Sequence, residues 1–136
     1  MKKTPHWLKS HRIISAVKWA LAACLLNLST ISYAMSQDTR AEIDKLLNHV
    51  EQSECTFIRN GSEHPAAKAR AHLELKLDRG SKYVNSTEDF IDRLATKSSW
   101  TGKAYQIRCP SDSGSTVTVT SADWFYGVLK DIRQAS

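Results

Sequence analysis

Acidic residues are missing from the first 34 positions, which hold five of the chain's 19 Lys and Arg residues. The net charge of +5 therefore belongs to the N-terminus, and the other 14 basic residues face 14 acidic ones. A near-neutral remainder lacks the cation excess that displaces counterions from a phosphate backbone, which argues against a nucleic-acid binder. Long apolar runs are missing as well. The longest, Trp19 to Leu28, is bounded by Lys18 and interrupted by Asn27, and it falls short of the roughly 20 residues that a bilayer-spanning helix requires. No permanent membrane span is expected. Nor is there an internal repeat, a low-complexity tract or a break in composition that would divide the remaining ~100 residues, a length suited to one core.

What the N-terminus does have is the three-part form of an export signal: a cationic stretch from Met1 to Lys18, the apolar stretch, and the small-residue exit Ser32-Tyr33-Ala34. The expected organisation is a signal peptide over 1–34, cleaved after Ala34, and a single exported domain over 35–136. Leu21-Ala22-Ala23-Cys24 competes as a lipobox, in which Cys24 would be acylated. The apolar Leu25-Leu26-Asn27-Leu28 that follows is unlike a polar lipoprotein tether, and Lys18 sits inside the greasy stretch such a site needs. Cleavage after Ala34 is the preferred reading. Cys55 and Cys109 are then the two remaining thiols, an even number in an oxidising compartment. A disulfide is preferred over two separate buried thiols.

Thr39-Arg40-Ala41-Glu42 has the form of a capping box and predicts a helix whose apolar stripe is Ile43, Leu46, Leu47 and Val50. Cys55-Thr56-Phe57-Ile58-Arg59 reads as a short strand, and Asn60-Gly61 as a tight turn. Pro65 opens a second helix with the stripe Ala66, Ala69, Leu73 and Leu77, ending at Gly80. Ser86-Thr87-Glu88-Asp89 starts a third, with Phe90, Ile91, Leu94 and Ala95 inward. Residues 104–109 and 116–120 predict a hairpin around the turn-rich Pro110 to Ser115. Ser121 then caps a last helix carrying Trp124, Val128, Leu129 and Ile132 inward. The expected fold is α+β and mostly helical: about four helices on a small two- or three-stranded antiparallel sheet, tied by Cys55–Cys109.

Phe57 to Gly61, His72-Leu73 with Lys76, Phe90-Ile91, Ser98-Ser99 with Gly102, Lys103 and Tyr105, and Asp123-Trp124 occur in an order that resembles the YfeK-like family of small exported bacterial proteins. The resemblance covers residues 39 to 133. Ala104 departs from it, standing where the family's pattern has Pro before the Tyr. The family is one of unknown function, so the resemblance implies a periplasmic location and brings no reaction, ligand or cofactor.

The residues themselves offer few sites. A serine hydrolase would have to use Ser98 or Ser99 with His72, and no Gly-x-Ser-x-Gly pattern surrounds either serine. His49, His64 and His72 lack the spacing that places metal ligands together, so neither a metal nor another cofactor is expected. Arg59-Asn60 with Gly61 offers a turn whose N–H groups and guanidinium suit an anion or a peptide carboxylate. Lys103, Tyr105 and Arg108 would supply the opposite wall if the hairpin lies against that turn. In the plainer and preferred alternative, Arg59 pairs with an internal carboxylate and Asn60-Gly61 only reverses the chain. Trp100 is either a plug in the core or a contact residue on the surface. Together these readings favour a non-catalytic binding or interaction module, contacting a protein or small anionic ligand of the envelope, over the hydrolase.

Overall fold

In the computed structural model, residues 34–136 are described. The export signal and the Cys24 acylation site fall on the preceding residues and lie outside the described part. Helix α1, Gln37–Gln52, begins two residues before the expected Thr39 start because Ser36 is the cap, its Oγ accepting from the Thr39 amide at 3.1 Å. Its stripe of Ile43, Leu46, Leu47 and Val50 is fully buried. Strand β1, Thr56–Arg59, turns at Asn60-Gly61 into β2, Ser62–His64. Both turn residues have positive φ, 51° and 81°, the backbone of a two-residue hairpin whose twist matches its strands.

Helix α2, Ala66–Gly80, packs on α1 through Leu73 and Leu77, and a 3-10 turn, Ser81–Tyr83, follows it. Helix α3, Thr87–Phe90, starts on the Ser86 cap and widens into a π-helical turn, Ile91–Ala95. Gly80 meets that turn closely, since a Cβ on it would lie 2.8 Å from Leu94 Cδ2. Strands β3, Gln106–Pro110, and β4, Thr116–Thr120, form the second hairpin, and helix α4, Ser121–Gln134, closes the chain. No helix among the described residues is long and apolar enough to cross a membrane.

Among the described residues the fold is α+β with four helices, and the antiparallel sheet has four strands in the order β2-β1-β3-β4, more than the two or three expected. The addition is β2. Its three polar residues carry no strand signature and are held by pairing with β1, Phe57 opposite His64 and Arg59 opposite Ser62. Thr56 pairs with Arg108 and Phe57 with Ile107, which puts Cys55 directly across from Cys109. Their Cα atoms lie 4.2 Å apart, and the disulfide is formed.

The last helix corrects two expectations. Thr120 is the cap, accepting from the Asp123 amide at 3.1 Å, while Ser121 Oγ donates to the Ala95 carbonyl at 2.7 Å and is buried. The inward stripe centres on Phe125, Leu129 and Ile132, with Trp124 and Val128 only partly buried at its edge. Phe125 stands edge-on to Phe90 and to Trp124, and Trp124 edge-on to Phe57. This aromatic chain joins α3, α4 and the sheet in geometries that ring quadrupoles favour.

Candidate functional site

The end of β1 with its turn, one face of α2 and the loop between the π turn and β3 converge on a cavity of about 770 Å³. The turn supplies Arg59 and Asn60, the helix His72, Lys76 and Arg79, and the loop Ser98, Ser99 and Trp100, with Tyr105 beyond it. Tyr83 and Arg93 complete the rim. Among the described residues, no carboxylate lines this space.

The loop is shaped by its own backbone. Ser98 N donates to the Lys103 carbonyl at 2.9 Å, Gly102 N to the Ser98 carbonyl at 2.9 Å, and Tyr105 N to the Thr96 carbonyl at 2.8 Å. Ser98 Oγ is buried beneath it and accepts from the amides of Trp100 and Thr101 at 3.3 and 3.2 Å. Thr101 Oγ1 donates to Asn60 Oδ1 at 2.7 Å, and Asn60 Nδ2 approaches Ser98 Oγ at 3.5 Å. The loop and the β1–β2 turn are thus fastened to each other, which is how residues some 40 positions apart come to share one wall.

Seven of the nine predicted site residues, Arg59, Asn60, His72, Ser98, Ser99, Trp100 and Tyr105, meet here. Two do not. Arg108 lies on the opposite face of the sheet, because side chains alternate along β3 and Ile107 takes the inward position; its Nη2 donates to Glu63 at 2.6 Å. Lys103 is exposed on the far limb of the loop and does not line the cavity. The internal pairing expected for Arg59 is also corrected: no carboxylate among the described residues forms an ion pair with it. The core-plug reading of Trp100 fails, since the indole is 95% exposed.

Lys76, Arg79, Tyr83 and Arg93 were not anticipated as site residues. A signal for two of them was present, because 72, 76 and 79 follow i, i+4, i+7 and so share one helix face beside the Leu73 and Leu77 stripe. Lys76 Nζ donates to the Lys97 carbonyl at 2.8 Å and sits 5.0 Å from the centre of the Tyr105 ring. Arg93 is neutralised by Asp89 at 2.8 Å, whereas Arg79, like Arg59, has no ion-pair partner among the described residues.

The cations crowd one another, and the titrating groups register it. Burial, and then the charge of Arg59, bring the Lys76 ammonium down to about 8. Burial first, then Arg59, Lys76 and His64, bring His72 down to about 4. Burial raises the Tyr105 phenol, against a lowering influence of Arg59. At neutral pH the cavity therefore holds a neutral imidazole and three cations, Arg59, Lys76 and Arg79, without an internal counter-charge.

The hydrolase geometry is not assembled. His72 Nε2 lies 3.4 Å from the Tyr105 hydroxyl, and Ser98 Oγ is occupied as the acceptor that organises its own turn. A general base must reach the proton it takes, and no hydrogen bond joins His72 to either serine among the described residues. No group of three or more His, Cys, Asp or Glu side chains gathers there as a metal site would require.

The sequence signature of a family of unknown function, DUF5329, matches residues 37–133. The chain belongs to that family. The DUF5329 match thus reaches every described helix and strand, ending one residue short of the end of α4, and includes the cavity and the disulfide. Over 87 residues the chain is 38% identical to the uncharacterized protein YfeK of Salmonella typhimurium, an alignment covering 63% of this chain and 72% of that protein. Both findings agree with the YfeK-like resemblance carried by the ordered residues from Phe57 to Trp124. No solved structure matches this DUF5329 chain.

Proposed function

We propose that the chain is an exported, periplasmic binding module that takes a small anionic ligand in the cavity at Arg59 and catalyses no reaction of its own. The observation that carries this reading is a cavity lined by Arg59, Lys76 and Arg79 and by no carboxylate. Three like charges brought together cost free energy in the empty protein, and an anion seated among them removes that cost. Arg59 and Arg79 offer guanidinium forks that match a carboxylate or phosphate. The Cys55–Cys109 disulfide supports the location, because such bonds persist in oxidising compartments.

Titration of the purified protein with inorganic phosphate, followed by amide NMR, tests the reading. Signals of Asn60, Gly61, Trp100 and Thr101 are expected to move together and to saturate. Arg59→Ala is expected to weaken the interaction about tenfold, the loss of one charge-assisted hydrogen-bonding group. Unmoved signals, or a titration that Arg59→Ala leaves intact, would contradict it.

A further inference from the structure

We propose that the anion taken at this site is carried on a saccharide, a pyranose ring bearing a carboxylate, whose ring lies on the indole of Trp100. The inference rests on the anion-binding reading and adds the chemistry of the rest of the ligand.

Trp100 is the observation that demands more than an anion. Its side chain is 95% exposed, yet it stands on a loop fastened by three internal backbone hydrogen bonds and by the bond from Thr101 to Asn60. Fixing a loop costs conformational entropy, and an indole held in water recovers nothing by burial. A surface that is both rigid and unsatisfied is organised in advance for what covers it, so the ordering cost is not charged to binding. Tyr83, 55% exposed, lines the same cavity.

The face of an aromatic ring is electron-rich. It attracts the weakly positive C–H groups on the flat side of a pyranose, whose hydroxyls remain at the edge for polar partners. The Ser99 hydroxyl, exposed at the rim, is such a partner. An inorganic anion would satisfy the guanidinium groups and leave Trp100 in water. An apolar acid would cover Trp100 and leave the serine rim unused. A carboxylated sugar engages all three features. The cavity's volume of about 770 Å³ falls within the ~300–1,000 Å³ of small-molecule sites, far more space than one phosphate fills.

Calorimetric titration with N-acetylmuramic acid, N-acetylglucosamine and lactate separates the parts, because the first compound is the second with lactate joined to it as an ether. N-Acetylmuramic acid is expected to bind at least about tenfold more tightly than either fragment. Trp100→Ala is expected to lose about tenfold toward N-acetylmuramic acid and to leave lactate unchanged, consistent with the energy of stacking on one aromatic ring. Arg59→Ala is expected to weaken both. Since Trp100 buries nothing, its replacement should leave the melting temperature in place, which confirms that a lost affinity is not lost fold. Equal affinities for lactate and N-acetylmuramic acid, with Trp100→Ala silent, would overturn the saccharide inference while leaving the anion site standing. Absence of binding by phosphate, lactate and N-acetylmuramic acid alike would overturn both.

Discussion

Replacing both Cys55 and Cys109 by Ser is expected to lower the unfolding free energy by about 4 kcal/mol, the loop-closure entropy of a cross-link spanning about 54 residues. A domain of this size has roughly 5–10 kcal/mol in total, so the loss is a large share of what it holds. The two residues face each other across β1 and β3, and the flanking pairs Thr56–Arg108 and Phe57–Ile107 keep their hydrogen bonds without the bond between sulfurs. The variant should therefore still fold, with a lower urea midpoint and a somewhat steeper slope, because the unfolded chain without its cross-link exposes more surface. A loss below about 1 kcal/mol would show that the sheet alone sets the stability. The same chemistry checks the location. The polypeptide recovered from the periplasm should begin at Met35 and lack two thiol protons; a species beginning at an acylated Cys24 would contradict cleavage after Ala34 and a free periplasmic domain.

Phe125→Ala should cost about 3–5 kcal/mol, the range for removing a fully buried aromatic ring. Phe125 is 1% exposed and touches Phe90 and Trp124 edge-on, so its loss opens a hole where α3 and α4 meet. Val128→Ala, three residues along the same helix and only partly buried, should cost about 1 kcal/mol or less. Denaturant melts of the two variants decide which stripe of α4 is the core. If Val128→Ala proved the costlier, the helix would be seated on the face that its sequence suggests and not on the one observed. Where Phe125→Ala fails to fold, Phe125→Leu keeps most of the volume and allows the same comparison.

That helix shows how far the sequence could be read. In α1, one apolar stripe and no competing aromatic made Ile43, Leu46, Leu47 and Val50 unambiguous, and all four are fully buried. In α4, Trp124, Phe125 and Tyr126 stand in succession, so periodicity alone could not say which ring points inward. The answer came from outside the helix: Ser121 is drawn to the Ala95 carbonyl, and this sets the helix's rotation. The Asn60-Gly61 turn was legible because positive φ restricts the residue choice. Strand β2 was not, because Ser62, Glu63 and His64 are held by their partner strand and not by their own preferences.

The site divided in the same way. Arg59, Asn60, Ser98, Ser99, Trp100 and Tyr105 were visible as turn and loop residues with polar or aromatic chemistry, and the cavity gathers them. Arg108 was misplaced by strand alternation, whose phase is fixed only by the burial of Ile107. Lys76 and Arg79 lay on a helix face that their i, i+4, i+7 relation to His72 would have exposed. That Arg59 lacks a carboxylate partner depends on where every acidic residue falls in three dimensions, and no local pattern carries it. Glu63 pairs with Arg108, Glu51 and Glu74 with Arg70, and Glu42 and Glu88 with Arg133.

A cation placed for a ligand and a cation placed for the fold respond in opposite ways when removed. The most direct measurement is the melting temperature of the protein and of Arg59→Ala, each with and without inorganic phosphate. Without phosphate, Arg59→Ala should melt at the same temperature or higher, because its removal relieves repulsion with the Lys76 ammonium and breaks no ion pair among the described residues. With phosphate, the unaltered protein should gain several degrees and the variant little, as binding to the folded state alone requires. A variant that melts well below the unaltered protein in the absence of phosphate, with both responding equally when phosphate is added, would contradict the assignment of this cavity as an anion site.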